Sequence, residues 1–218
     1  MHALRLSDSG QALQSVLCLG AHCDDIEIGC SGTILKLAAA GRLERVTWVV
    51  FASDVSRERE AVGSAERVLQ GVAKREVMVK SFRDGFLPYF GSQIKEHFED
   101  LKATVSPDVV LTHYRGDLHQ DHRLISDLTW NTFRDHLILE YEIPKYDGDL
   151  GAPNMFMELG EPIAAAKIAN LLESFESQRQ KPWFSPDLFR SLLRLRGMEC
   201  NAASGLAEAF YCRKLRLG

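Results

Sequence analysis

The sequence lacks the features that mark several classes of protein. It has only five cysteines in 218 residues, and none forms a Cys-x-x-Cys pair, so we expect no disulfide framework. No apolar run approaches the roughly 20 residues of a membrane span. The N-terminal stretch Met1–Gln11 is polar and has no apolar signal core. These absences predict reduced thiols, no membrane span and a cytoplasmic location.

An excess of positive charge is also missing. The chain has 26 Lys and Arg against 30 Asp and Glu, a net charge of −4, so no general attraction to nucleic acid or to an anionic membrane is expected. Hydrophobic residues make up 45% and charged residues 26%, which is typical of a globular protein and not of a disordered one. Because there is no repeat and no Gly/Ser-rich linker, residues 1–218 are predicted to form a single domain.

Short apolar runs alternate with amphipathic segments. Strands are predicted at Ser15–Gly20, Arg45–Ala52, Glu76–Lys80, Asp108–Thr112, Leu137–Tyr141 and Ala207–Leu215. Helices are predicted at Gly29–Gly41, Arg57–Leu69, Gly91–Ala103, His122–His136, Glu161–Gln178 and Ser185–Arg196, and a long Pro- and Gly-rich loop at Glu142–Pro162. This alternation predicts an α/β fold with a mostly parallel sheet flanked by helices.

A first polar cluster follows the first predicted strand, where open α/β sheets bind ligands. It contains His22, Asp24 and Asp25. An imidazole and a carboxylate three residues apart at a strand-to-helix turn can converge on one cation. The alternative is that both aspartates only cap the following helix and favour its dipole.

A second cluster follows the fourth predicted strand. The stretch Asp117–His122 places four metal-capable or proton-transferring groups within six residues, although it could also be a solvated polar loop. Taken together, the two clusters offer two histidines and one carboxylate, which suit a catalytic zinc ion with an open position. Arg57, after the second predicted strand, is a candidate substrate contact or a surface ion pair with Glu60.

Both clusters resemble the paired signatures of the PIG-L (LmbE-like) N-deacetylase family. Ala21–Asp25 is similar to the family's Ala-His-Pro-Asp-Asp, and Asp117–Arg123 to its Asp-x-His-x-Asp-His-Arg. Further similarity lies at Arg57-x-x-Glu60, Pro153–Phe156, the Lys167 segment and Ala207–Phe210. The resemblance implies a Rossmann-like fold and zinc-dependent hydrolysis of an N-acyl amide on an N-acetylglucosamine-type sugar.

The resemblance also implies a role for each residue. The ligands of zinc (Zn2+), or of another divalent metal, would be His22, Asp25 and His122. The catalytic residues would be Asp24 as general base, His119 near the oxyanion and Asp121 orienting His119. Arg57 would contact the substrate, a small N-acylated amino sugar. Association into a homo-oligomer is left open.

The sequence departs from the family pattern in two places. Cys23 replaces the usual Pro, and an extra residue, Gln70, leaves Arg59 as an alternative to Arg57. Substrate selection is expected from the loop Glu142–Pro162 together with Asp54, Arg83 and Asp84.

Other functions share parts of this pattern. A metallo-β-lactamase-type site would have His where Asp117 stands, and iron oxygenases with this ligand set usually have jelly-roll folds. A dinucleotide-binding enzyme would need Gly-x-Gly-x-x-Gly after the first strand, and the sequence has acidic residues there. Another metallo-amidohydrolase remains an alternative. So does a metal- or sugar-binding module without turnover, although such a module would need neither Asp24 nor His119.

Overall fold

The computed structural model describes residues 13–216, and the side chains of residues 15–216. The stretch Met1–Gln11 lies outside the described residues. The strands are β1 (Leu13–Gly20), β2 (Leu43–Ala52), β3 (Lys74–Phe82), β4 (Val109–His113), β5 (Leu137–Tyr141), β6 (Met155–Glu158) and β7 (Ala207–Cys212). The helices are α1 (Asp25–Ala39), α2 (Val55–Val68), α3 (Gly91–Thr104), α4 (Gln120–Thr132), α5 (Glu161–Ser174) and α6 (Pro186–Glu199), with short 3-10 turns at Leu87–Phe90 and Glu176–Gln178.

The strands form one sheet in the order β3-β2-β1-β4-β5-β7-β6. Strands β1 to β5 run parallel, and β7 is antiparallel to both β5 and β6. This confirms the predicted α/β fold with a mostly parallel sheet. It disagrees with the jelly-roll fold that is usual for iron oxygenases.

Helices cover both faces of the sheet because its central strands are apolar on both sides. On β1, Val16 and Cys18 pack in the core that includes α1, α2, α5 and α6, whereas Leu17 and Leu19 pack in the core that includes α3 and α4. Alternate residues of a strand point to opposite faces, so one apolar run supplies both cores.

The chain reverses its direction of winding between β1 and β4. From β1 it moves outward through β2 and β3, and from β4 it moves the other way through β5. A crevice opens beyond the carboxyl ends of the two strands at such a reversal. The polar clusters that follow β1 and β4 therefore meet at the same place.

The helix starts at the two polar clusters differ from the sequence prediction. Helix α1 begins at Asp25 and not at Gly29, and the N–H of Ile28 already donates to the C=O of Asp24 at 2.9 Å. Helix α4 begins at Gln120, two residues before the predicted His122. Acidic residues in a first helical turn are favoured by the helix dipole, so both polar clusters extend into helix N-termini.

Helix α4 ends at Thr132 and not at the predicted His136, and further boundaries in the second half of the chain were also wrong. The loop Glu142–Pro162 contains the four-residue edge strand β6, which pairs with β7 about 50 residues further along the chain. Helix α5 ends at Ser174 and is followed by a separate 3-10 turn, and β7 ends at Cys212 and not at Leu215. In the part of the chain that the structure describes, no helix has the length and apolarity needed to cross a membrane.

Candidate active site

The three predicted metal ligands meet in the crevice between β1 and β4. His22 Nδ1 lies 3.1 Å from His122 Nε2 and 3.3 Å from Asp25 Oδ2, and His122 Nε2 lies 3.5 Å from Asp25 Oδ1. All three side chains are buried. Residues 100 positions apart in the sequence are thus brought together by the parallel pairing of β1 with β4.

This donor set fits a divalent cation. Ligand atoms about 2.1 Å from a tetrahedral ion lie about 3.4 Å apart, close to the separations measured here. Three groups of metal-capable side chains overlap at this point, namely His22/His119/His122, Asp25/His113/His122 and His22/Asp84/Asp121. Two imidazoles and a carboxylate suit zinc and other first-row transition metals.

The environment sets the ionisation of these ligands. Burial raises the pKa of Asp25, but His122, His113 and His22 outweigh it and hold that pKa well below its ordinary value. Burial, with His113, lowers the pKa of His122 to about 4. Burial also lowers the pKa of His22, but carboxylates led by Asp25 outweigh it and raise that pKa well above its usual range. Asp25 and His122 are therefore in the forms that ligate metals, an ionised carboxylate and a neutral imidazole, whereas His22 has to lose a proton to bind one.

Asp117 orients His122 through Nδ1, the ring nitrogen that does not face the other predicted ligands. Its Oδ2 lies 2.9 Å from His122 Nδ1 and accepts a hydrogen bond from Lys145 Nζ at 2.8 Å. The bond fixes the tautomer, so that His122 Nε2 faces the crevice with its lone pair. Lys145 comes from the loop after β5, where the sequence predicted substrate selection.

His113, the last residue of β4, was missed as a part of the site. Its Nε2 lies 3.2 Å from Asp25 Oδ2 and accepts the N–H of Ala21 at 2.9 Å, and its ring stacks on His122 with centroids 4.0 Å apart. The available signal was its position, directly after the predicted strand Asp108–Thr112. Sequence reasoning treated it as the start of a loop.

Asp24 lies beside the ligands and is held by Arg57. Arg57 Nη2 donates to Asp24 Oδ1 at 3.1 Å, and its Nη1 donates to Asp84 Oδ2 at 3.1 Å. Burial raises the pKa of Asp24, with Arg57 opposing that shift. Arg59, the alternative considered from the sequence, is exposed. Arg57 is therefore the arginine that reaches the site.

Arg57 is positioned by the first turn of α2. Asp54 caps this helix, accepting from Ser56 N at 2.8 Å and from Arg57 N at 2.9 Å. The described contacts thus give Asp54, which the sequence placed among the substrate-selecting residues, a capping role.

Asp121 contacts His119 through its backbone N–H and not, as predicted from the resemblance, through its carboxylate. The backbone N–H of Asp121 donates to His119 Nδ1 at 3.2 Å, so a neutral His119 carries its proton on Nε2. The carboxylate of Asp121 instead accepts from Gly85 N at 2.8 Å and Leu87 N at 3.1 Å, and lies 3.2 Å from His22 Nε2. Gly85 has a φ of 78°, a conformation that favours glycine.

Two remaining sequence features lie at the same crevice. Asp84 Oδ1 is 3.1 Å from His22 Nε2, which puts this expected substrate-selecting residue directly against a predicted ligand. Cys23 is buried with its Sγ donating to the C=O of Ala52 at 3.4 Å, so the turn after β1 forms here without the family's proline.

The fold and the crevice define an α/β protein with a His/Asp-rich site at the reversal point of its sheet. Residues 17–133 match the family model of PIG-L, described as GlcNAc-PI de-N-acetylase. The match spans more than half of the chain, and the protein belongs to the PIG-L family. The predicted family is confirmed.

Solved structures of the same fold include proteins with different reactions. A conserved protein from Thermus thermophilus has a TM-score of 0.71 at 20% identity, over 93% of this chain and 96% of its own. The N,N'-diacetylchitobiose deacetylase from Pyrococcus horikoshii has a TM-score of 0.65 at 20% identity, over 91% and 83%. The 4-carboxy-2-hydroxymuconate hydratase from Pseudomonas putida has a TM-score of 0.69 at 16% identity, over 94% and 98%. Such identities establish the fold, and the reaction has to be argued from the site.

Proposed function

We propose that this protein is a metal-dependent N-deacetylase that removes an acetyl group from a small amino sugar. The observation that carries the proposal is the convergence of His22, Asp25 and His122 with a second buried carboxylate, Asp24, directly beside them. A binding module would have no use for that additional buried carboxylate. The family's description and the chitobiose deacetylase support an N-acetylated amino sugar as the substrate class.

His22, Asp25 and His122 would hold the cation, and zinc is the proposed ion. When bound, zinc supplies Lewis-acid chemistry, acidifying a coordinated water towards a pKa of about 7 and polarising a carbonyl. Asp117 keeps the ligand His122 in place through the contact described above. Ligands held in this way need little rearrangement to bind the ion.

The chain's own groups handle the protons. Asp24, fixed by Arg57, accepts a proton from the water that attacks the amide carbon. The Nε2–H of His119 donates to the carbonyl oxygen as negative charge develops there, because its Nδ1 is already an acceptor. The C–N bond then breaks, and the amine leaves after taking a proton from Asp24 or His119. Acetate and the free amino sugar are the products.

Arg57 and Asp84 are the proposed contacts to the sugar. The Arg57 side chain is 14% exposed and lies against Asp24, and its Nε has no hydrogen-bond partner among the described residues. Asp84 is partly exposed and can accept from a hydroxyl group of the sugar. A cytoplasmic location remains a prediction from the sequence, and association into a homo-oligomer stays open.

The test is release of free amine from N-acetylglucosamine, N,N'-diacetylchitobiose and simple N-acetylglucosaminides. Zinc-loaded protein should release amine, chelated protein should not, and restored zinc should recover the rate. Asp24→Asn should lower turnover by at least about 100-fold, the usual contribution of a general base. Asp100, which is exposed near the carboxyl end of α3, offers a matched control, and Asp100→Asn should keep full activity. Equal release with and without metal, or release from none of the substrates, would contradict the proposal.

A further inference from the structure

The loop that follows β5 is fixed at both of its ends. Glu142, at its start, forms a buried two-point ion pair with Arg196 of α6, with N–O distances of 2.8 and 2.7 Å. Gly151, at its end, accepts from the same arginine at 3.2 Å and donates its N–H to Tyr211 Oη at 3.0 Å. The position of Lys145 between these two ends is therefore set by the fold.

Lys145 places an ammonium group between two buried carboxylates. Its Nζ donates to Asp117 Oδ2 at 2.8 Å, to Asp149 Oδ2 at 2.5 Å and to the C=O of Ile143 at 3.4 Å. The side chain of Lys145 is 12% exposed, and those of Asp117 and Asp149 are 2% and 4% exposed. An ammonium group has three donors, and three acceptors surround it here. Among the described residues, no other Lys or Arg pairs with either carboxylate.

Both carboxylates hold the segment between β4 and α4. Asp117 Oδ1 accepts the N–H of His119 at 2.8 Å, while its Oδ2 lies 2.9 Å from His122 Nδ1. Asp149 Oδ2 accepts the N–H of Leu118 at 2.7 Å. Two histidines with proposed roles in the site are thus held by one carboxylate of this pair.

The two carboxylates share one counter-ion, so loss of its charge would leave two buried negative charges facing each other. Coulomb repulsion in a medium of low permittivity is several times stronger than in water. Movement of either carboxylate to relieve the repulsion would break a hydrogen bond to Leu118, His119 or His122. Lys145 therefore acts on the two histidines through charge and not through a contact with them.

We propose that Lys145 is a positioning residue of the metal site, which acts through Asp117 to hold His122 in the tautomer that binds the cation. The inference rests on the proposed function, because that function makes His122 a ligand. A direct contact of Lys145 with the substrate fits less well, because its side chain is mostly buried and its donors already have acceptors.

The first test measures zinc affinity by competition with a chelator. Lys145→Met should weaken zinc binding by about 10–100-fold, the usual effect of disturbing the partner of a ligating histidine. Lys145→Met/Asp149→Asn should recover most of that affinity, because it removes the repulsion while the amide oxygen can still accept the N–H of Leu118. Lys102 is exposed on α3, and the matched control Lys102→Met should bind zinc like the unsubstituted protein.

The double variant distinguishes a role of the charge from a purely structural role. A residue that only stabilises the loop would make the double variant bind zinc no better than Lys145→Met. That result, or unchanged zinc affinity in Lys145→Met, would overturn the proposal. Urea unfolding of the same proteins shows whether each variant is folded under the conditions of the zinc measurement.

The ring tautomer of His122 in metal-free protein separates this inference from the proposed function. NMR of the ring nitrogens should show the proton on Nδ1 in the unsubstituted protein, a mixture of tautomers in Lys145→Met, and Nδ1 again in the double variant. The signals are assigned by their absence in His122→Ala. This pattern would support the inference even if no acetylated sugar were hydrolysed. Amine release together with the same His122 tautomer in all three proteins would keep the deacetylase and refute the role of Lys145.

Discussion

Lys167 on α5 and Glu208 on β7 form an ion pair in the interior, with side chains that are 3% and 2% exposed and a separation of 2.5 Å. Both also bond to the middle of α1. Lys167 Nζ donates to the C=O of Ile28 at 2.6 Å, and Glu208 accepts from the N–H groups of Gly32 at 2.8 Å and Thr33 at 2.7 Å. The pair therefore joins α5 and β7 to α1, the helix that carries Asp25.

Replacing Lys167 by Met should be strongly destabilising. The substitution leaves the Glu208 carboxylate buried without a counter-charge, although the α1 donors remain. Breaking a buried ion pair in this way costs about 3–5 kcal/mol. At about 2–4 °C per kcal/mol for a chain of this size, the midpoint of thermal unfolding should fall by roughly 10 °C. The double variant Lys167→Met/Glu208→Gln removes both charges and should be more stable than Lys167→Met alone.

Urea unfolding followed by circular dichroism measures these free energies. The exposed pair of Lys74 and Glu44 provides the control, because Lys74→Met should cost less than about 1 kcal/mol. A loss below about 1 kcal/mol for Lys167→Met would refute the reasoning. So would a double variant that is less stable than the single one.

Further predictions concern the site and its supports. Asp117→Asn should weaken zinc binding by about 10–100-fold in a chelator competition, because it loses the charged bond to His122 Nδ1. His122→Ala should lose the metal, whereas Asp24→Ala should keep metal and lose most turnover, as measured by metal content and amine release. Gly29→Ala should cost about 2–3 kcal/mol in urea unfolding, because its Cβ would clash with the ring of Tyr141, only 2.2 Å from the nearest ring atom.

Each of these predictions has its own control. Asp127 is an exposed aspartate on α4, and Asp127→Asn should leave zinc affinity unchanged. Gly63 lies inside α2 with open space around its Cβ position, so Gly63→Ala should stabilise the protein by about 0.5–1 kcal/mol. Full metal content in His122→Ala, or metal loss in Asp24→Ala, would contradict the division of roles. Equal effects of the two glycine substitutions would contradict the packing argument.

The sequence pattern placed the two polar clusters after buried strands, and parallel strands end at the same edge of a sheet. The choice of His22, Asp25 and His122 within those clusters came from the resemblance to the family and stays a prediction. Arg57 could be proposed as the substrate arginine, but the sequence did not distinguish it from Arg59, since the extra residue Gln70 leaves the alignment of this segment to the family open. The structure distinguishes the two arginines, because Asp54 caps α2 and Arg57 in its first turn reaches Asp24.

Local sequence determined the α/β alternation, most strand positions and the two polar clusters, because apolar periodicity and turn residues act over a few positions. Tertiary structure alone decided the contacts that depend on distant partners. His113 became part of the site only through Asp25 and Ala21, and β6 formed because β7 offers its edge. The Asp121 carboxylate turned to the loop after β3 and to His22, since buried carboxylates take the nearest available donors. Such partners lie tens of residues away in the sequence, so a local sequence pattern does not predict these contacts.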